Sequence, residues 1–164
     1  MIPFTSLKTG KHEFEYEIGD KFFEEIDYSE VKKSSVNVEV ELDKQSTLLV
    51  LDFKIEGTVE VPCDRCGDDF DKDIESEYQL VFKLNAEKYE EGDDVVYLPA
   101  SEYEIDISQF IYEYILLSVP QHRVHPKGKC NKEALKKLKE LSANANNEEQ
   151  TDPRWDALKS IKLN

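Results

Sequence analysis

Cys63-Asp64-Arg65-Cys66-Gly67 places two thiols two residues apart, a spacing that brings both sulfurs to one point as a zinc knuckle requires. A third cysteine stands at the end of His125-Pro126-Lys127-Gly128-Lys129-Cys130, some sixty residues on, with an imidazole five positions before it. Cys63, Cys66, His125 and Cys130 together form a Cys₃His set suited to one structural Zn²⁺, and such a site would tie two distant segments and remove loop entropy from folding. His122 is a second candidate for the imidazole. Two other readings stay open. Cys63 and Cys66 could be free thiols at a tight turn beside a solvated histidine, or the pair could be a redox dithiol. Acidic neighbours weigh against the redox reading, because they raise thiol pKa values, and strands on both sides replace the strand-to-helix step that activates such a pair. An odd cysteine count fits a metal or redox set better than a disulfide staple.

No other constellation carries chemistry. The chain has no G-x-S-x-G, phosphate-binding loop or dinucleotide fingerprint, and with six glycines in all a phosphate cradle is hard to place. Carboxylate pairs are abundant, but among 36 acids a solvated surface explains them, so no catalytic residue is assigned and the chain reads as a non-enzyme. A net charge of −15 argues against coating polyanions, since counterion release needs cations brought to phosphates. A basic partner is the simpler inference. The charge is nevertheless segregated: Glu60 to Glu77 holds eight acids and two bases, whereas Gln121 to Lys139 holds seven bases and one acid. Arg123, Lys127, Lys129, Lys132 and Lys136 could therefore touch RNA phosphate, or could neutralise the acidic knuckle.

The elements that must position these residues follow from periodicity. Val36, Val38, Val40 and Leu42 alternate with polar residues, as do Leu49, Leu51, Phe53 and Ile55, and Tyr78, Leu80, Phe82 and Leu84, which predicts antiparallel strands with one buried face. Asp43-Lys44-Gln45-Ser46 turns the first into the second, and Gly57 is expected to bend or bulge the second strand. Phe14, Tyr16 and Ile18 suggest one more strand. The period then becomes helical at Ile107, Phe110, Ile111, Tyr114 and Ile115, with Asp106 and Gln109 resembling a capping box and Pro120 as the stop. A second amphipathic helix follows Asn131, through Ala134, Leu135, Leu138 and Leu141. The expected class is α+β: an antiparallel sheet with C-terminal helices and a zinc knuckle, one domain over 1–141. Residues 142–151 read as a flexible linker, and 152–164, opened by Asp152-Pro153, as a docking helix carrying Arg154, Trp155 and Leu158. No 18-residue apolar run and no secretory pattern at the N-terminus are found, so a cytoplasmic protein is expected.

Three segments in this order resemble the YceD family, the large ribosomal RNA subunit accumulation proteins: Val61-Pro62-Cys63-Asp64-Arg65-Cys66-Gly67, Tyr114 to Pro120 running into His125 and Cys130, and Asp152-Pro153-Arg154-Trp155-Asp156-Ala157-Leu158. Cys63, Cys66 and Cys130 match the family pattern residue by residue, and Arg65 matches its inner arginine. The resemblance implies a role in 23S ribosomal RNA accumulation and large-subunit biogenesis. Joined to the acidic composition, it suggests a partner that is a basic ribosomal protein or an assembly intermediate, with any 23S RNA contact running through Gln121 to Lys139. A zinc-stabilised binding module of another pathway and a Cys-x-x-Cys thiol oxidoreductase are the alternatives.

Overall fold

A period-two chain with one apolar face has to cover that face, and the architecture follows from this need. The structure, a computed structural model, describes residues 1–24, 26, 29, 31–84 and 95–145. Strands β1 (Gly10–Gly19), β2 (Ser34–Lys44), β3 (Leu48–Pro62), β4 (Asp69–Leu84) and β5 (Val95–Leu98) form one sheet in sequence order. The first four are antiparallel neighbours, and their pairing aligns the alternation of one strand with the next: Val40 stands opposite Phe14 and Phe53, and Phe53 opposite Tyr78. β5, which no alternation in the sequence marks as a strand, runs parallel to β4, and the sheet is antiparallel in its other pairings. Helix α1 (Asp20–Glu24) follows β1, and α2 (Ser108–Ser118) and α3 (Lys132–Ala145) follow β5.

The inner face of the sheet and one side of α2 make the core. Val38, Leu42, Leu49, Leu51, Phe53 and Ile55 are buried from the strands, and Ile107, Ile111 and Ile115 from the helix segment. Aromatic rings join the two layers. Tyr114 stacks on Tyr78 at 4.4 Å and meets Phe53 edge-on at 5.1 Å, while Phe110 meets Phe82 edge-on at 5.9 Å. Ile2, fully buried, pairs by backbone with Ile105 and closes one end of the core; the sequence pattern gave no sign of this. The start of α2 also differs from expectation. Asp106 accepts a hydrogen bond from the Ser108 N–H at 2.9 Å, but Gln109 donates to Glu113, one turn onward, and does not reach back, so no reciprocal capping box forms. α3 continues to Ala145, four residues into the segment read as a linker; residues 146–151 and 152–164 lie outside the described residues.

Gly57 does not bulge β3. Its pairing with Val36 on one side and Ile74 on the other is unbroken, and Ile55 and Val59, two residues before and after it, are both buried on the same face. The glycine is required by close approach instead: a Cβ there would sit against the Ser35 carbonyl and 2.6 Å from the Val36 Cα, with φ at +157°. These obstacles are backbone atoms and cannot rotate away.

The outer face of the sheet is acidic, with Glu13 opposite Glu41, Glu15 opposite Glu39, Glu41 opposite Asp52, Glu56 opposite Glu75 and Glu60 opposite Asp71. Like charges in directly opposed positions are unfavourable. Lys11 pairs with Glu41 at 2.6 Å, Lys54 with Glu56 at 2.7 Å and Lys33 with Glu60 at 2.8 Å, which offsets part of the repulsion.

Gly57→Ala is expected to destabilise the fold by about 2 kcal/mol or more, since overpacking against backbone is added to an unfavourable φ. Urea unfolding of the variant reads this as a lowered midpoint at unchanged slope; a midpoint equal to wild type would mean that β2 and β3 are farther apart at this point.

Candidate metal centre

β3 and β4 are joined by the loop that holds the first two cysteines. The Cys63 N–H donates to the Asp68 carbonyl and the Gly67 N–H to the Cys63 carbonyl, both at 2.9 Å, and Gly67 takes φ +81°, which a side chain would resist. This tight loop turns the Cys63 and Cys66 sulfurs to one side. After α2 the chain stops at Pro120 and returns to the same end of the sheet, where Arg123 clamps it. The Asp64 N–H donates to the Arg123 carbonyl at 2.7 Å, and the Arg123 N–H donates to an Asp64 carboxylate oxygen at 2.7 Å.

From that clamp the imidazole and last thiol are delivered two and seven residues later. His125 Nδ1 lies 3.4 Å from Cys66 Sγ, and its ring packs on Phe70 with centroids 4.6 Å apart, which fixes the orientation of the ring. A turn follows, with the Lys129 N–H on the Pro126 carbonyl and Gly128 at φ +87°, and it brings in Cys130. Asn131 then holds both sides. Its carbonyl oxygen caps α3 by accepting the Glu133 N–H at 3.0 Å, and its amide donates to the Asp68 carboxylate at 3.2 Å.

The ligand atoms of Cys63, Cys66, His125 and Cys130 all lie within 4.8 Å of one another. A tetrahedral ion with sulfur at about 2.3 Å and nitrogen at about 2.0 Å would set donor separations of roughly 3.5–3.8 Å. The set is therefore close to closed geometry, and His125, not the exposed His122, supplies the imidazole. The electrostatics agree. Burial pushes the Cys63 thiol up, but the backbone N–H groups of His125, Arg65 and Cys66 and the His125 ring outweigh it and bring the pKa down to about 6. Burial pushes the Cys130 thiol up, and the neighbouring Cys63 and Cys66 sulfurs push it further. One sulfur is thus prepared as a thiolate, and a cation is what would let the others join it. Four protein donors around one ion would leave no open coordination position for substrate. Thiol exchange is poorly served, because Cys63 is only 2% exposed and no helix opens at the Cys-x-x-Cys.

A family model, described as large ribosomal RNA subunit accumulation protein YceD, matches residues 51–162, more than half of the chain. The chain belongs to the YceD family. The match runs from β3 through both halves of the cluster. YceD proteins are named for accumulation of the large ribosomal RNA subunit, and that description names an accumulation factor and not a catalyst. No curated protein and no solved structure matches the chain.

The basic stretch divides in two. Arg123 faces the knuckle, with Nε 3.6 Å from Asp64, whereas Lys127, Lys129, Lys132 and Lys136 are exposed and make no ion pair among the described residues. Arg154, Trp155 and Leu158 lie outside the described residues. Sequence reasoning missed Phe70 and the two roles of Asn131. An asparagine just before a helix is itself a capping signal, but the contact of Phe70 with His125 depends on a fold that brings residues 55 positions apart together. No helix among the described residues is long and apolar enough to cross a membrane.

Titration of the metal-free chain with Co²⁺ is expected to give the intense visible absorption of a tetrahedral thiolate site at one equivalent, and Cys130→Ser should weaken and shift it. Only the pale spectrum of six-coordinate cobalt would show that the four donors do not act together.

Proposed function

We propose that this chain is a non-enzymatic factor supporting 23S ribosomal RNA accumulation and large-subunit biogenesis, acting by binding a basic ribosomal protein or an assembly intermediate that contains one. Family membership gives the process, and the observation that carries the binding mode is the separation of charge. Opposed carboxylates line the outer sheet face, while Lys127, Lys129, Lys132 and Lys136 are exposed close to the cluster in sequence and have no ion pair among the described residues. A protein selected for stability alone would relieve those like-charge pairs. They suit a partner that arrives with cations. The free lysines suit 23S RNA phosphate at the edge of the same particle.

In this reading the ion at Cys63, Cys66, His125 and Cys130 is Zn²⁺ and its role is structural: it fixes the basic loop to the end of the acidic sheet, so both surfaces meet a partner in one orientation. The segment carrying Arg154, Trp155 and Leu158 acts as a C-terminal docking motif, with Trp155 as its aromatic anchor on the partner. The protein works in the cytoplasm, where its thiols stay reduced.

Pull-down from cell extract at low and at physiological salt tests this. Wild type is expected to recover large-subunit protein or RNA, more at low salt because exposed complementary charges are screened over about 8–10 Å. Trp155→Ala should weaken recovery by more than about 1 kcal/mol. Recovery of neither ribosomal protein nor large-subunit RNA at either salt would overturn the proposal.

A further inference from the structure

β1 is an edge strand of ten residues without proline, and among the described residues no backbone group pairs with its outer side. Every second residue of such a strand turns an N–H and a C=O away from its one neighbour, which makes a template for another strand. The opposite edge is divided: β5 has four residues and pairs β4 only at Val81–Leu84, so 69–80 of β4 has no strand on that side among the described residues, and the β4 variant below is the control for it. The two faces of β1 are also chemically distinct. Glu13, Glu15 and Glu17 point to the outer face, while Phe14 and Tyr16 are only half-buried on the inner face, at the margin of the core.

We infer that the free edge of β1 receives an extended segment of the partner protein as a sixth strand, one in which lysine or arginine alternates with β-branched or other apolar residues. The backbone supplies the pairing and the alternation supplies the selection. Basic side chains of the incoming strand fall beside Glu13, Glu15 and Glu17, relieving the repulsion that Glu13 has from Glu41 and Glu15 from Glu39, and its apolar side chains fall beside Phe14 and Tyr16. Charge decides against a second copy of this chain. Pairing β1 with β1 in one continuous sheet would set two rows of glutamates side by side. β1 lies before residues 51–162, so the inference rests on this chain and not on its family match. It builds on the proposal that the partner is basic, and adds where and in what conformation it binds.

Calorimetric titration of the full chain with a short peptide alternating lysine and valine is the test, run against the same peptide N-methylated at alternate amides. The second keeps the charge and cannot pair. The unmodified peptide is expected to bind at least about tenfold more tightly and to slow hydrogen exchange at β1 amides. The triple variant Glu13→Lys, Glu15→Lys, Glu17→Lys should lose the peptide, whereas Asp71→Lys, Asp73→Lys, Glu75→Lys, the same charge change on β4, should keep it within about twofold. Both variants lie on the outer face, and their circular dichroism should match wild type. Equal binding of the two peptides, equal loss in the two triple variants, protection confined to other strands, or a dimer through β1 in sedimentation would each overturn the inference. If the β1 variant still recovers ribosomal particles, this inference fails and the proposed function stands; if wild type binds the peptide but no particle, the edge stands and the proposed function fails.

Discussion

Three sulfurs and an imidazole held within 4.8 Å of one another are a demanding arrangement, because each thiolate formed makes the next harder to form. The chain around them is arranged to hold it. The tight β3–β4 loop aims N–H groups at Cys63, Asp64 and Arg123 clamp the second segment to the first, Phe70 holds the imidazole ring, and Asn131 joins the start of α3 to Asp68. Most of these contacts are polar and lie near the surface, where each contributes about 1 kcal/mol or less. They align the donors. A bound cation would be the largest single charge in the region and would convert that alignment into a fixed joint.

What the joint positions matters more than the joint itself. On one side the sheet presents carboxylates in opposed pairs, and on the other the loop and α3 present lysines that have no acidic partner among the described residues. α3 also leaves part of its apolar stripe to solvent, with Leu138 44% and Leu141 69% exposed. An amphipathic helix so placed gains little from its own core, so its orientation rests on Asn131 and on the segment that begins at His125. The aromatic layer between α2 and the sheet has the opposite character. It is apolar, closed and independent of any ion, and the strands need it whether or not a metal is present.

Much of this could be read from the residues in order, and the limits are physical. Alternation gave β2, β3 and β4, because a strand's burial pattern is a local property, and hairpin connections then set their register. The Cys-x-x-Cys spacing was legible for the same reason, and the matching of His125 and Cys130 to it followed from donor chemistry. Non-local features were not legible. The parallel placement of β5, the burial of Ile2 against Ile105 and the packing of Phe70 on His125 each depend on where distant segments end up. At Gly57 the sequence suggests a bend or a bulge because it shows only that a side chain is missing; that the Ser35 backbone occupies the space is a property of the neighbouring strand. Asp106 and Gln109 had the right spacing for a capping box, but Glu113 offered Gln109 a partner one turn away, and the box did not form.

The central claim is that the Cys₃His cluster joins the basic loop to the acidic sheet as one unit. Hydrogen exchange, followed residue by residue before and after removal of metal by a chelator, measures this most directly. The amides of Asp64, Arg123 and Lys129 are expected to lose protection together on chelation, while those at the centre of β2 and β3 keep theirs. Protection unchanged at all three amides, or lost equally across the whole sheet, would contradict it.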